Sequence, residues 1–325
     1  MLSFLIRRLN LLFITAFILT IISFIIVQLL PNHLNAADTG KHNIVIEYLI
    51  YLFNLLTGTF GYSVIDNKPL LTQGLIYFAS TLELCLIALL FSSLIAIPLG
   101  LLAGLFRGTA IDNTIMTIVL AGIALPVFWV GVMAVLLPSL WGDLLPVDGN
   151  ISVIYEVPIV TGFPILDTLF VMKQYGLFAL FDRLAHLFLP AAVLSLFLAT
   201  EMIRLTRNSM TTVMRSNYIK AAYAKGFSRT RIVFTHVLRN ALPPIIPQLR
   251  LQLSTILSSA MAVEIVFNLD GMGTWLITAL KLGDYYVLPA GLLIISGFIL
   301  FFSIIIEVIM VLINPLKRGS LYANK

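Results

Sequence analysis

Five charged side chains interrupt the apolar stretches of this 325-residue sequence, and they are the first residues that could carry chemistry. They are Glu83, Glu201, Arg250, Glu264 and Glu307. A charge near the centre of a bilayer costs at least about 2.5 kcal/mol, so such residues often take part in ion or proton transfer. Glu307 lies furthest inside its apolar run and is the candidate for an ion-driven mechanism. The other four lie near the ends of apolar runs, where we expect structural roles.

Signatures of enzyme chemistry are missing from the sequence. It has no nucleophile elbow, no pair of histidines spaced for zinc and no phosphate-binding loop. His33, His42, His186 and His236 have no ligand spacing, and Cys85 is the only cysteine, inside an apolar run. We therefore expect no catalytic, metal or cofactor site on this chain. If the protein uses ATP, another chain must bind the nucleotide and its magnesium.

The longest polar interruption is a basic segment in the second half of the chain. Residues 202–263 contain no carboxylate, yet they include nine basic residues. These are Arg204, Arg207, Arg215, Lys220, Lys225, Arg229, Arg231, Arg239 and Arg250. One interpretation is a solvated loop on the cytoplasmic side, where positive charge accumulates. The other is a binding surface for a partner protein.

Within this segment, residues 218–244 are predicted to form two short helices joined by one sharp bend. Ala221, Ala222 and Ala224 favour helix. Glycine readily adopts the left-handed conformation that ends a helix, so the first helix is predicted to end at Gly226. Ser228 is the predicted N-cap of the second helix. Phe227 and Ile232 then have the spacing of a hydrophobic staple, which fixes the angle between the two helices. Prolines at 243, 244 and 247 make further helix costly.

Composition places the chain in a membrane. Of its residues, 60% are hydrophobic and only 11% are charged, whereas soluble domains have about 25% charged residues. A pI near 9.3 could indicate a nucleic-acid partner. The basic residues instead cluster beside apolar runs, which indicates a membrane orientation signal and no nucleic acid.

The apolar runs predict an all-α, polytopic membrane protein with six spans. The predicted spans are 9–30, 81–106, 113–141, 187–203, 248–267 and 286–313. The first is too long for a typical signal-peptide core, so residues 1–30 are predicted to be an uncleaved anchor. Residues 31–80 would form a periplasmic segment, 81–313 a five-helix core with a cytoplasmic loop at 204–247, and 314–325 a cytoplasmic tail. About 15 of the 20 Lys and Arg fall on the side of Arg7 and Arg8, which places both termini in the cytoplasm.

Two local patterns indicate how the spans pack. Small residues recur every four positions in the second span, at Ala96, Gly100, Gly104 and Gly108, so this face is predicted to contact another helix. Pro126 is predicted to kink the third span. That kink is either architectural or a bend that lines a pathway.

The run Ala221-Ala222-x-x-x-Gly226 resembles the EAA loop of binding-protein-dependent ABC transporter permeases, with Lys220 in place of the family's leading Glu. The resemblance extends from the first span to Pro315 and is greatest for the oligopeptide and dipeptide branch. Its motifs are Thr81-Leu82-Glu83-Leu84, Ile97-Pro98-Leu99-Gly100, Pro126-Val127-Phe128-Trp129, Glu264-x-Val266-Phe267 and Arg239-Asn240-Ala241-Leu242-Pro243. Asp270-Gly271 departs from the family's Pro-Gly. Tyr155-Glu156-Val157, Thr161-Gly162-Phe163 and 200–205 are similar to a subgroup associated with antimicrobial-peptide resistance and, in some bacteria, putrescine export.

This resemblance implies a type I ABC importer permease with the MetI-like fold in the bacterial inner membrane. Its partners would be a homologous second permease, two cytoplasmic ATPases that bind ATP and magnesium, and a periplasmic peptide-binding protein. The ATPase-docking residues would be Lys220, Ala221, Ala222, Gly226, Phe227, Ser228 and His236. Candidates for lining or gating the translocation path are Pro126, Phe128, Trp129, Glu264 and Glu307.

Two other classes of function remain as alternatives. A secondary transporter or channel would show inverted repeats and polar sites on broken helices, and a membrane enzyme would need clustered catalytic groups. The substrate is open between peptides and polyamines, and so is the direction of transport.

Overall fold

The fold is all-α, and the computed structural model describes residues 2–29, 43–141, 145–241 and 246–313. Within these ranges the only extended pairing is an isolated bridge between Tyr62 and Pro69. Three predicted features lie outside the described residues: the first part of the outer segment at 31–42, the helix-ending prolines 243 and 244, and the tail 314–325.

Fourteen α-helices are present among the described residues. In chain order they are α1 (Leu2–Gln28), α2 (Ile44–Leu56), α3 (Leu70–Leu105), α4 (Ala110–Ala124), α5 (Val127–Trp141), α6 (Pro164–Phe170), α7 (Met172–Tyr175), α8 (Phe178–Met214), α9 (Asn217–Ala224), α10 (Arg229–Arg231), α11 (Leu238–Ala241), α12 (Ile246–Val266), α13 (Met272–Leu282) and α14 (Val287–Ile313). A π-helical segment, Ile232–Val237, joins α10 to α11.

The predicted spans correspond to helices of this list. Among the described residues, α1, α3, α8 and α14 are long and apolar enough to cross a membrane, and the bent pair α4–α5 makes a fifth. The remaining predicted span corresponds to α12, of 21 residues. Two helices are much longer than predicted, because α3 already begins at Leu70 and α8 runs from Phe178 to Met214. Residues 70–80, 178–186 and 204–214, which lie outside the predicted spans, are therefore helical.

Helices α3 and α8 form the most extensive pairing in the described part of the chain. Gly100 and Gly104 of α3 face α8 at very short range. A methyl group on Gly100 would lie 2.9 Å from the Ile203 carbonyl oxygen, and one on Gly104 would lie 2.6 Å from Cβ of Met210. The predicted packing of the small-residue stripe is confirmed as far as Gly104. Gly108 instead lies beyond the helix with φ of +82°.

The third predicted span is broken in two at Pro126. Leu125 has an extended backbone, as expected for a residue before proline, and α4 and α5 meet at 94°. The Pro126 carbonyl accepts the N–H groups of Trp129 and Val130 at 3.0 and 3.2 Å, so it starts the second helix. The break itself is confirmed, and its angle exceeds a simple kink.

The main core lies between α3, α8, α12, α13 and α14. Helix α5 packs on α12, where Gly131 faces Val266. Helix α1 packs against α14, and α2 contacts α1 through hydrogen bonds from Tyr48 to Thr20 and from Tyr51 to Ser23, at 2.8 and 2.7 Å. The main core therefore packs around the first half of α3 and residues 187–198 of α8, and a separate cluster packs around the other end of the pair.

Candidate functional site

The bend at Gly226 is set by local backbone hydrogen bonds. Gly226 has φ of +80°, its N–H donates to the Tyr223 carbonyl at 2.9 Å, and the Phe227 N–H donates to the Ala222 carbonyl at 3.3 Å. These two bonds are those of a Schellman motif, which ends a helix by reversing the chain at a left-handed residue. Glycine adopts this conformation without steric cost. The predicted helix end at Gly226 is confirmed.

The second helix of the loop begins as predicted. Ser228 Oγ accepts the N–H of Arg231 at 3.4 Å, which caps the helix. Phe227 packs against the buried cluster that contains Ile232, as the staple predicts. The Phe227 ring also stacks on His236, with centroids 6.2 Å apart, and lies 4.8 Å from the Arg231 guanidinium. His236 is therefore an internal contact of the loop, and its ring helps to fix the bend.

We call residues 215–241 the docking loop, after the role that the sequence predicts for its residues. Its inner face is buried against the ends of α3 and α8, and this face consists of Ile219, Ala222, Ile232, Val233, Val237 and Ala241 packed on Leu101, Leu105 and Met210. Arg229 adds a polar link, because its Nη2 donates to the Leu105 carbonyl at 3.1 Å and its guanidinium lies 5.3 Å from the Phe106 ring. The loop is thus attached to the two longest helices.

The outer face of the docking loop exposes residues of two kinds. Lys220 and Ala221 were predicted there and are exposed, whereas Ala222 points inward at 8% exposure. Three large side chains that the sequence analysis missed are also exposed, Tyr218 and Tyr223 at more than 40% and Phe234 at 70%. The signal in the sequence was the presence of aromatic residues in a basic loop. A helix of eight residues has too few turns for its periodicity to show which of its aromatic residues face outward.

The candidate path residues differ in position. Phe128 and Trp129, just after the break at Pro126, are 55% and 46% exposed on this chain. Glu264 is instead buried at 1%, and its Oε2 accepts the Gly273 N–H at 2.7 Å, which ties the end of α12 to the start of α13. Glu307 lies on α14, and its side chain is outside what the structure describes. Of the candidates whose side chains are described, Phe128 and Trp129 are therefore exposed and Glu264 is not.

Comparison with known proteins identifies the class of molecule. Residues 96–319 match the family model described as "Binding-protein-dependent transport system inner membrane component". This match covers the last ten residues of α3, all of α8, the broken span and the docking loop. The chain belongs to this family. It is a membrane permease and not an enzyme.

Curated relatives match the permease over almost its whole length. The "Peptide transport system permease protein SapB" of Salmonella typhimurium is 38% identical over 99% of both chains. The "Putrescine export system permease protein SapB" of Escherichia coli K12 is 36% identical over 99% of both. The "Di/tripeptide transport system permease protein DppB" of Pseudomonas aeruginosa is 34% identical over 98% of this chain and 99% of the relative. The permease is thus an inner-membrane, multi-pass subunit, and its family implies partner ATPase and substrate-binding subunits.

At the end of the permease opposite the docking loop, a buried ion pair joins α3 to α8. Arg183 is 1% exposed and donates from Nη2 and Nε to Glu83 Oε1, at 2.7 and 3.0 Å. Glu83 Oε2 accepts the Ile165 N–H at 2.7 Å, at the start of α6.

The ion pair extends into a wider hydrogen-bond network. Arg183 Nη1 donates to the Asn150 carbonyl at 2.8 Å, and Asn150 Nδ2 donates to Asp270 at 3.0 Å. This network fastens the 145–164 segment and the α12–α13 turn to the long helices, as expected for a structural Glu83.

The other end of the same helix pair carries a second charged clamp. Arg207 of α8 donates from Nε and Nη2 to the two carboxylate oxygens of Asp112, at 2.5 and 2.7 Å. Asp112 also accepts the Gly108 N–H at 2.9 Å. Arg207 was predicted to lie in a basic loop, and Asp112 had no predicted role. Their pairing needs the fold, because the two residues are 95 positions apart.

Proposed function

We propose that this permease forms half of the translocation path of an ATP-driven peptide transporter and couples to cytoplasmic ATPases through its docking loop. The observation that carries the proposal is the construction of that loop. Its bend is held by a Schellman motif and a serine cap, and its inner face is packed on α3 and α8. A surface that transmits movement from a partner must itself resist deformation.

The outer face of the docking loop supplies the contact surface. Tyr218, Tyr223 and Phe234 are exposed there beside Lys220 and Lys225. Aromatic residues are enriched at the centres of protein interfaces, and polar residues surround them at the rim. In this proposal Ala221 and Lys220 contact the ATPase, and Gly226, Phe227, Ser228, Ala222 and His236 maintain the shape of the loop.

The remaining partners follow from the same assignment. A homologous permease would cover the exposed side of the α4–α5 break, where Pro126, Phe128 and Trp129 would line or gate the path. A periplasmic peptide-binding protein would dock on the face opposite the loop. Both termini would be cytoplasmic, since the basic residues lie on that side. Glu264 would act as a support at the path's edge, and Glu307 stays a candidate path residue.

The peptide class is favoured because relatives named for peptide or dipeptide transport match over almost the full length. Resistance to antimicrobial peptides is the role that we propose within this class. Export of putrescine is the second candidate, supported by the relative of that name at 36% identity. Proteoliposomes that hold the assembled transporter would separate the two, through ATP-dependent movement of labelled peptide or of labelled putrescine and its direction.

The docking role is tested by substitution at the bend. We expect Gly226→Val to reduce the amount of co-purifying ATPase about tenfold, because a β-branched residue in the left-handed conformation costs about 1–2 kcal/mol. Gly226→Asn should retain most of the ATPase, since asparagine tolerates this conformation. The measurement is the ratio of ATPase to permease after affinity purification from membranes.

A second pair of variants tests the contact surface without altering the bend. Phe234→Ser removes an exposed side chain and should lose ATPase at an unchanged melting temperature. Tyr62→Ser is the matched control, because Tyr62 is 58% exposed at the other end of the molecule.

Full ATPase recovery with both Gly226→Val and Phe234→Ser would overturn the docking role. A wild type that purifies alone and transports solute on an ion gradient would overturn ATP coupling, and Glu307 would then be the residue to change.

A further inference from the structure

A cavity of about 490 Å³ opens on the face of the permease opposite the docking loop. Tyr77 of α3 forms part of its wall, about 42 Å along the helix from Leu105, where the docking loop is attached. Other walls come from residues 66–73, from the 150–168 segment and from Asp270 before α13. The volume falls within the range of pockets for small molecules.

The lining is mainly apolar, with carboxylates at a few points. Ile76, Tyr77, Ile151, Val157 and Ile159 supply apolar surface. The Tyr77 ring is held in place by stacking on Trp275, with centroids 5.6 Å apart and planes 16° from parallel. Such a wall suits a hydrocarbon chain and keeps its shape when the pocket is empty.

The balance of charge around the cavity is negative. Asp66, Asp167 and Asp270 line it, and the cations there are Lys68 and Arg183. The charge of Arg183 is already paired with Glu83 at 2.7 Å, and the side chain of Lys68 is 69% exposed and 3.5 Å from Asp66. An anionic ligand would therefore find no uncommitted buried cation among these lining residues.

Two of the three carboxylates are available to a ligand. Asp167 is 3% exposed, and its oxygens accept both Thr161 donors and the Gly162 N–H, so it is occupied in holding its own turn. The Asp270 carboxylate accepts one hydrogen bond, from Asn150 Nδ2. Most of its lone pairs therefore remain available to accept from a ligand.

Asp66 is oriented by its neighbours and stays charged. Its oxygens accept the Lys68 N–H at 3.2 Å and Gln73 Nε2 at 2.6 Å. Desolvation acts to raise the pKa of Asp66, but the surrounding hydrogen-bond donors and Lys68 outweigh it and lower that pKa. Asp66 and Asp270 line the same cavity as Tyr77. Two carboxylates thus lie beside one aromatic wall.

We infer that this cavity binds a primary ammonium group carried on an aliphatic chain, with Asp66 and Asp270 accepting from the ammonium and Ile76, Tyr77 and Ile159 covering the chain. A free diamine and the lysine side chain of a peptide share this chemistry. The inference rests on the proposed function only for the source of the amine, since binding to the cavity needs neither ATP nor a partner chain.

The test is equilibrium binding of radiolabelled 1,4-diaminobutane to the purified full-length permease in detergent. We expect saturable binding that is displaced by unlabelled butylamine and not by butanol, which has a similar chain without charge. Asp270→Asn and Asp66→Asn should each weaken binding about tenfold, because each removes a charge-assisted acceptor. Asp148→Asn is the matched control, since Asp148 lines a separate cavity on the same face.

Competing ligands distinguish the two sources of the amine. A short lysine peptide that displaces the label better than its acetyl-lysine version indicates a peptide side chain, and displacement only by the free diamine indicates a polyamine. Equal displacement by butanol and butylamine, or wild-type affinity in both Asp66→Asn and Asp270→Asn, would overturn the inference. A wild-type permease that binds the amine but co-purifies with no ATPase would count against the docking role alone.

Discussion

Arg183→Met is expected to lower the stability of the permease by about 3–5 kcal/mol, the usual cost of leaving one member of a buried ion pair without its partner. Glu83 is 5% exposed and receives two of its three hydrogen bonds from Arg183. Methionine fills most of the arginine volume but supplies no donor. The measurement is the midpoint of thermal unfolding in detergent, followed by intrinsic fluorescence.

A double-mutant cycle separates loss of the pair from loss of packing. Glu83→Gln combined with Arg183→Met removes both charges and should recover part of the stability lost in Arg183→Met. Arg204→Met is the matched control, because Arg204 pairs with Glu201 at 2.7 Å while 50% of its side chain is exposed. That control should change stability by less than about 1 kcal/mol. Equal effects of Arg183→Met and Arg204→Met would contradict the assignment of the buried network.

Gly273→Ala is expected to destabilise the permease by about 1–3 kcal/mol through overpacking. A methyl group on Gly273 would overlap the Met261 carbonyl oxygen and lie 2.7 Å from the Met261 Cα. Backbone atoms cannot rotate away, so α12 and α13 would have to separate. That movement would also stretch the bond from the Gly273 N–H to Glu264.

Gly297→Ala provides the comparison for this prediction. Gly297 lies within α14, and a methyl group there would meet nothing within 4 Å. Alanine has the higher helix propensity, so stability should stay the same or rise slightly. We expect a lower melting temperature for Gly273→Ala alone. If Gly273→Ala also melts like the wild type, the close approach of α13 to Met261 is wrong.

Features determined by neighbouring residues were predictable from the sequence. The helix end at Gly226, the cap at Ser228 and the break at Pro126 depend on the conformations that glycine, serine and proline allow, and all three are observed. The 94° angle at Pro126 was not predictable, because α4 packs on α8 while α5 packs on α12. Tertiary contacts, and not the proline alone, set that angle.

Helix lengths and polar pairs were harder to predict for a physical reason. Hydropathy measures what lies in lipid. Helix α3 begins before its predicted span, and α8 extends beyond both ends of its own, so the start of α3 and both ends of α8 were not predicted. Glu83 and Arg183 are 100 positions apart, and nothing local relates them. Burial of Ala222 and exposure of Phe234 likewise depend on how the docking loop sits against α3 and α8.

The length of the α3–α8 pair has a mechanical consequence. The two helices have 36 and 37 residues, and each is therefore about 54 Å long. They run without interruption from the docking loop to the amine cavity, and the close glycine contacts prevent them from sliding independently. If the pair tilts by about 10° around its middle, its ends swing in opposite directions by about 5 Å. A displacement of about 5 Å at the loop would thus be accompanied by an equal and opposite displacement at the far side, about the width of a hydrocarbon chain.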